Sequence, residues 1–304
     1  MIHGLIPVNK PTNITSHDVV EKIRKLFKIK KVGHFGTLDP LAEGLLLIGM
    51  GYATKFFDFY IKKRKLYSGK IVFGYATTTY DAEGEPTSGP RLVDLNTLDI
   101  DALLAQFTGK QTQTPPLYSA KKYKGKPMYK YARENKHIPG EIEIKPVHVE
   151  IYWLNGEALD QATLWFRTET SSGTYIRSLA HDMGQKVGVG AYLKELKREG
   201  VGEFRLERAF TLEELTRRTE AGEIEKVVIP IEALLPEFPK IIVSPGARKG
   251  VLNGKPLMPQ EVMKIIPAQS TENFRLFDDE GKLLAIARKD PKLVRFNPYI
   301  VFTG

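Results

Sequence analysis

Asp39 sits in the run Gly33-His-Phe-Gly-Thr-Leu-Asp-Pro-Leu-Ala-Glu-Gly, where three glycines and a proline surround an aspartate. Glycines let a backbone turn tightly and approach a ligand closely. Pro40 biases the residue before it towards an extended conformation, which restricts where the Asp39 carboxylate can point. A carboxylate held on such a loop can act as nucleophile or general base. The plainer reading is a turn, because Asp-Pro is a common turn pair, and on these residues alone it is the better one. The spacing fits neither a P-loop nor a dinucleotide fingerprint, and no Gly-Lys-Ser/Thr follows. His34, beside it, can be read as a metal ligand, a general base or a side chain that probes RNA. The six histidines show no ligand spacing, so a metal is not expected. His181-Asp182 invites a metal-phosphohydrolase reading but falls beside an apolar helical stripe and reads as a partly exposed helix pair. From Lys121 to Arg133, lysines and tyrosines interleave with a glycine and a proline. Lysines suit phosphates and tyrosines stack on unpaired bases, so the run reads equally as an RNA-binding loop or a solvated basic face.

The elements that must position these groups follow from periodicity. Leu5 to Pro11 reads as a short strand and turn. Thr15 and Asp18 stand at capping-box spacing ahead of a helix whose stripe is Val19, Val20, Ile23, Leu26 and Phe27. Residues 31–44 read as an ordered loop. Leu66–Phe73, Val147–Leu154 and Thr163–Thr170 have strand composition. Ile176, Leu179, Ala180, Met183 and Val187 have helical spacing, and a second, basic helix is predicted near Tyr192–Arg198. Strands and helices mix without regular alternation, which favours α+β: a mixed, largely antiparallel sheet with flanking helices and loops. The chain changes character near Pro236–Pro239. Phe274-Arg-Leu-Phe and Leu283-Leu-Ala-Ile flank Asp279-Glu-Gly as a hairpin in a small β-rich tail. The expected division is 1-239 and 240-304, with an insertion at about 110-146.

The 304 residues suffice for one large and one small domain, and 42% hydrophobic residues supply a sizeable core. With no cysteine, disulfides, thiolate metal sites and cysteine nucleophiles are excluded. A net charge of +9 points modestly to an anionic partner such as nucleic acid. No secretory signal or bilayer-length apolar run is seen, so a cytoplasmic protein without membrane contact is expected.

Further blocks accompany the Asp39 run: Asn9-Lys-Pro-Thr-Asn-Ile-Thr-Ser, Ala53-Thr-Lys, Lys65-Leu-Tyr, Gly74-Tyr-Ala-Thr-Thr-Thr-Tyr-Asp-Ala-Glu-Gly and Pro115-Pro-Leu-Tyr-Ser-Ala. Ser172-Gly-Thr-Tyr-Ile-Arg-Ser-Leu-Ala and Leu196-Lys-Arg complete the series. In this order they resemble the TruB family, bacterial enzymes that make pseudouridine 55 in the tRNA T-loop, over most of residues 4–210. Phe35, Thr78, Lys121 and Lys197 depart from the usual family residues. The resemblance implies an isomerase that needs no cofactor and no metal, acts as a monomer on tRNA, and carries a PUA-like RNA-binding tail. It implies Asp39 as the catalytic carboxylate, nucleophile or base at the sugar, with Arg177 paired to it. Tyr67 would stack on the extruded uracil and take part in proton transfer. His34 would fill the space the flipped base leaves, and Tyr175, Leu196, Lys55, Lys10 and Asp81 would complete the substrate contacts. Two alternatives stand beside this: an RNA-binding or RNA-folding protein without catalysis, and a guide-RNA-dependent synthase acting on ribosomal RNA.

Overall fold

Strand β1 (Gly4–Lys10) and helix α1 (Ser16–Phe27) form where the amino-terminal pattern places them. Thr15 Oγ1 accepts from the Asp18 amide at 3.1 Å and the Asp18 carboxylate accepts from the Thr15 amide at 2.8 Å. Such a cap contributes about 1 kcal/mol. Val19, Val20, Ile23 and Phe27 are buried, and Leu26 packs at the margin of the same core. The computed structural model describes residues 2–116 and 145–303, together with the backbone of 122–123 and 126–127.

The loop expected at 31–44 is shorter than its composition implies. Val32–His34 is a strand, β2, paired antiparallel with β3 (Glu43–Met50), so only 35–42 is irregular. The cause is β3 itself. Leu45 and Leu47 enter one core, Leu46 and Ile48 the other, so this strand is buried on both faces and recruits neighbours on either edge. A 3-10 turn (Gly51–Phe56) and the one-turn helix α2 (Phe57–Tyr60) lead to β4 (Lys65–Phe73). There follow α3 (Ile100–Ala105), β5 (Gly109–Gln113), the short pair β6 (Lys122–Tyr123) and β7 (Lys126–Pro127), β8 (Val147–Ala158) and β9 (Thr163–Thr170). Most of the basic run from Lys121 to Arg133 lies outside the described residues.

Helix α4 (Ile176–Val187) carries the expected apolar stripe. The second helix does not exist: Ala191–Val201 is a strand, β10, between β3 (parallel) and β4 (antiparallel). Leu193 and Leu196 mimic a helical stripe because a bulge between Leu193 and Glu195 adds one residue. Both leucines thereby reach the same core despite their three-residue spacing. Pairing on two edges overrides the helix preference of Lys, Glu and Leu, as tertiary context routinely does. Strand β11 (Phe204–Arg205), helix α5 (Leu212–Glu220) and β12 (Ile229–Pro230) finish a ten-stranded sheet whose main path is β12-β1-β3-β10-β4-β9-β8-β5. Every pairing in it except β10–β3 is antiparallel, as an α+β fold requires.

From Lys240 a second sheet forms: β13 (Lys240–Val243), helix α6 (Pro245–Leu252), β14 (Val262–Ile266), β15 (Asn273–Phe277), β16 (Leu283–Lys289) and β17 (Phe296–Val301). The hairpin expected around Asp279-Glu-Gly is β15–β16. This sheet is not packed by itself alone. Phe277, Leu283, Ile286 and Phe302 share one apolar cluster with Leu5, Phe35, Leu45, Leu47, Phe56 and Tyr60 of the large sheet. Phe56 and Phe302 lie 5.4 Å apart, and Lys55 Nζ donates to the Val301 carbonyl at 2.6 Å. Among the described residues no helix is long and apolar enough to cross a membrane.

Candidate active site

The loop that carries Asp39 is held by backbone contacts on both sides. Ser16, buried at the start of α1, accepts from the Leu38 amide at 2.8 Å and donates to the Leu38 carbonyl at 3.0 Å. The Asn13 amide donates to the Pro40 carbonyl at 2.8 Å, and the Ala42 amide to the Asp39 carbonyl at 3.1 Å. The Asn9–Ser16 block is therefore a clamp on the loop. Gly36 and Gly44, at φ +112° and +106°, supply the two left-handed turns that side chains rarely adopt. Phe35, unusual for its position, is buried and stacks on Tyr60 at 5.6 Å, fastening the front of the loop to the shared core.

Arg177 meets Asp39 from the first turn of α4. Its Nε lies 3.0 Å from Asp39 Oδ2, and Nη1 lies 3.3 Å from both Asp81 Oδ2 and the Thr79 carbonyl. Asp81 is buried and accepts from the Glu83 amide at 3.1 Å. A cation near a helix N-terminus opposes the helix dipole, and the two flanking carboxylates offset that. Tyr175, at the N-cap, is fixed by Gln113, which accepts from its amide at 3.0 Å and donates to its carbonyl at 3.3 Å. Burial raises the Asp39 carboxyl above the ordinary aspartate range. Arg177 opposes that rise, Asp81 adds to it, and Lys10 and Arg198 work against it.

These groups border a cleft of about 400 Å³ with Asp39, Arg177, Tyr67, Tyr175 and Leu196 on its walls. That volume suits a nucleoside-sized guest. The other expected contacts stand elsewhere. Lys10 and Asp81 are 0% and 1% exposed and do not line the cleft. Lys10 donates to the Pro11 and Ile14 carbonyls, and burial pulls its ammonium down to about 8. Lys55 is turned to the second sheet, near the rings of Tyr52 and Phe302. His34 lies on β2 with a buried Nδ1 that finds no hydrogen-bond partner among the described residues, and burial lowers its pKa. His181 stacks on Tyr80 at 3.8 Å.

Two cleft residues were missed although both stand in quoted blocks. Lys65 donates to the Lys63 and Ile61 carbonyls and is pulled down to about 8 by burial. Arg198 is buried beneath the loop. The sequence predicts a basic helix for this segment, and its burial follows from the strand pairing of β10 instead.

Residues 24–176 match the profile of TruB family pseudouridylate synthase (N terminal domain), and 177–236 that of tRNA pseudouridylate synthase B C-terminal domain. The chain belongs to the TruB family. It is thus an isomerase that makes pseudouridine. Among its TruB-family relatives is tRNA pseudouridine synthase B of Solibacter usitatus, 42% identical over 83% of this chain and 85% of that protein. Those of Thermotoga maritima and Bacillus subtilis are each 39% identical, over 95% and 94% of this chain and 91% and 93% of theirs. Among solved structures, an H/ACA RNP bound to a substrate RNA containing 2'-deoxyuridine has a chain sharing the fold. Its TM-score is 0.74 at 22% identity, covering 99% of this chain and 85% of that one.

Proposed function

We propose that this enzyme converts uridine 55 in the T-loop of tRNA to pseudouridine, as a cytoplasmic monomer without metal or cofactor. The observation that carries the reading is the Asp39 carboxylate, ion-paired with Arg177 at the wall of a nucleoside-sized cleft faced by Tyr67. A binder that only holds RNA has no use for that set. The uridine is flipped from its stack at a cost of a few kcal/mol. The N1–C1′ bond breaks with its electron pair on the base, the base turns and C5 joins C1′; the C5 proton then leaves and N1 takes one up, so the product is an isomer of the substrate. Asp39 serves the sugar as nucleophile or base, and Arg177, itself braced by Asp81, keeps it ionised and aimed. Tyr67 stacks on the uracil and shares in the proton movement. His34 takes the vacated space, and the second sheet supplies a PUA-like RNA contact.

Incubating the purified enzyme with an unmodified tRNA transcript and EDTA is expected to give one pseudouridine, at the T-loop position, by chemical mapping. Modification elsewhere would overturn the assignment of position. Activity that vanishes in EDTA and returns with zinc would overturn the cofactor-free reading.

The pH dependence has a definite sign. The working form of Asp39 is the carboxylate, so the single-turnover rate is lost as pH falls through its pKa. Because that pKa is raised, the loss should begin above the ordinary aspartate value. Arg177→Met removes the strongest opposing charge, so its acid limb should move to still higher pH. Rates measured at saturating tRNA across the acid range check both; a limb unmoved by Arg177→Met contradicts the pairing.

A further inference from the structure

We propose that Arg198 is a positioning residue for the Asp39 loop, holding both its ends so that the carboxylate stands fixed opposite Tyr67; this rests on the function proposed above. Arg198 stands where β10 pairs with Gly44 of β3 on one side and Tyr67 of β4 on the other. Its Nη2 donates to the Gly36 carbonyl at 3.0 Å and its Nη1 to the Thr37 carbonyl at 3.3 Å, at the loop's start. Its Nε donates to the Leu45 carbonyl at 2.7 Å, just past the loop's end. The guanidinium also interacts with the Tyr67 phenol. At Gly44 an added Cβ would run into the Arg198 carbonyl oxygen, so main chain as well as side chain binds the loop closely.

The side chain is 1% exposed, and among the described residues no carboxylate lies within ion-pair distance of it. A buried cation without an ion-pair partner is costly, and an apolar residue of similar volume often costs the fold less. Stability of the core therefore does not account for an arginine here. The planar fork does, because three carbonyls in different directions match its donors and a single ammonium cannot reach them all. Asp39 lies midway along the stapled segment. An error of about 1 Å in such a group can lower a rate by about 100-fold.

The test uses the full-length enzyme with Arg198→Met and Arg198→Lys, assayed by single turnover at saturating tRNA. Arg198→Met is expected to lose about 100-fold in rate with little change in RNA affinity. Its acid limb should also rise, though less than for Arg177→Met, because Arg198 is the weaker of the cations holding the Asp39 carboxyl down against burial and Asp81. Arg198→Lys keeps the charge and so the limb, while its rate stays low because the fork is lost. Hydrogen exchange read by mass spectrometry gives a measure independent of activity. Segment 36–42 should exchange faster in Arg198→Met while the rest of the large sheet keeps its protection. A uniform rise across the sheet, or wild-type protection of 36–42, would overturn the proposal. If the wild-type enzyme makes no pseudouridine, the functional reading falls, and the exchange result alone still decides whether Arg198 holds the loop.

Discussion

Asp39→Asn is expected to lower the single-turnover rate by on the order of 10³-fold or more, the scale of losing a positioned acid–base group or nucleophile. RNA affinity should stay within about tenfold, because it rests on many phosphate contacts. The substitution keeps size, and the loop hydrogen bonds to Ser16, Asn13 and Arg198 use main-chain atoms that it leaves in place. Arg177 retains Asp81 as its partner. Stability should move the other way from activity. A carboxyl whose folded pKa is raised costs stability at pH above that value, so the neutral amide should leave the melting temperature unchanged or higher near neutral pH. Parallel rate and melting measurements check the pair of outcomes. Turnover near the wild-type rate would show that the chemistry belongs to another group.

Ending the chain before Lys240 is expected to abolish turnover as well as weaken binding. Treating residues 240-304 as a detachable tail would predict intact chemistry on saturating RNA. The shared cluster argues otherwise. Removing Phe277, Leu283, Ile286 and Phe302 strips away part of the cluster that buries Phe56, whose ring lies 5.4 Å from Phe302. Each large apolar side chain so affected is worth roughly 1.5–3 kcal/mol, and a domain's entire stability is about 5–15 kcal/mol. Tyr60 also supports Phe35, which precedes the first turn of the Asp39 loop. Circular dichroism and single-turnover rates at saturating tRNA decide the matter. A folded truncation with the full-length rate would mean that the common cluster gives the active site no support.

Local signals in the sequence read correctly where neighbours along the chain set the outcome. The Thr15–Asp18 box starts α1, and Asp279-Glu-Gly turns the β15–β16 hairpin, because both depend on residues a few positions apart. The β10 segment read wrongly because its state is decided by strands more than a hundred residues earlier, and its bulge disguises strand spacing as helical. The ion pair of Asp39 with Arg177 spans 138 positions, and no periodicity could reveal it. Only the likeness of the two motifs to the TruB family placed them together. Arg198 escaped notice for the same reason as β10, since burial beneath a loop follows from a pairing that the local pattern does not announce. Phe35 stood out as unusual, yet its Tyr60 partner belongs to a fold-level contact.

The insertion of β10 between β3 and β4 has a consequence for biosynthesis. Those neighbours are complete by residue 73, but the strand that joins them ends only at Val201. A nascent chain emerging from its amino end thus carries β4 without its β10 partner, and β3 open at Glu43 and Gly44 beside β2, while more than a hundred further residues are made. Translation at about 5–20 residues per second leaves those edges open for roughly ten seconds. Pairings so distant along a chain also close slowly, since the entropy of the intervening loop is lost before the contacts form. Residues 191–201 therefore act as the keystone of assembly, and the Asp39 loop gains its guanidinium staple only when they arrive. Replacements that weaken β10 should accordingly show themselves first as poor soluble yield in the cell, before any defect is seen in enzyme that has already folded.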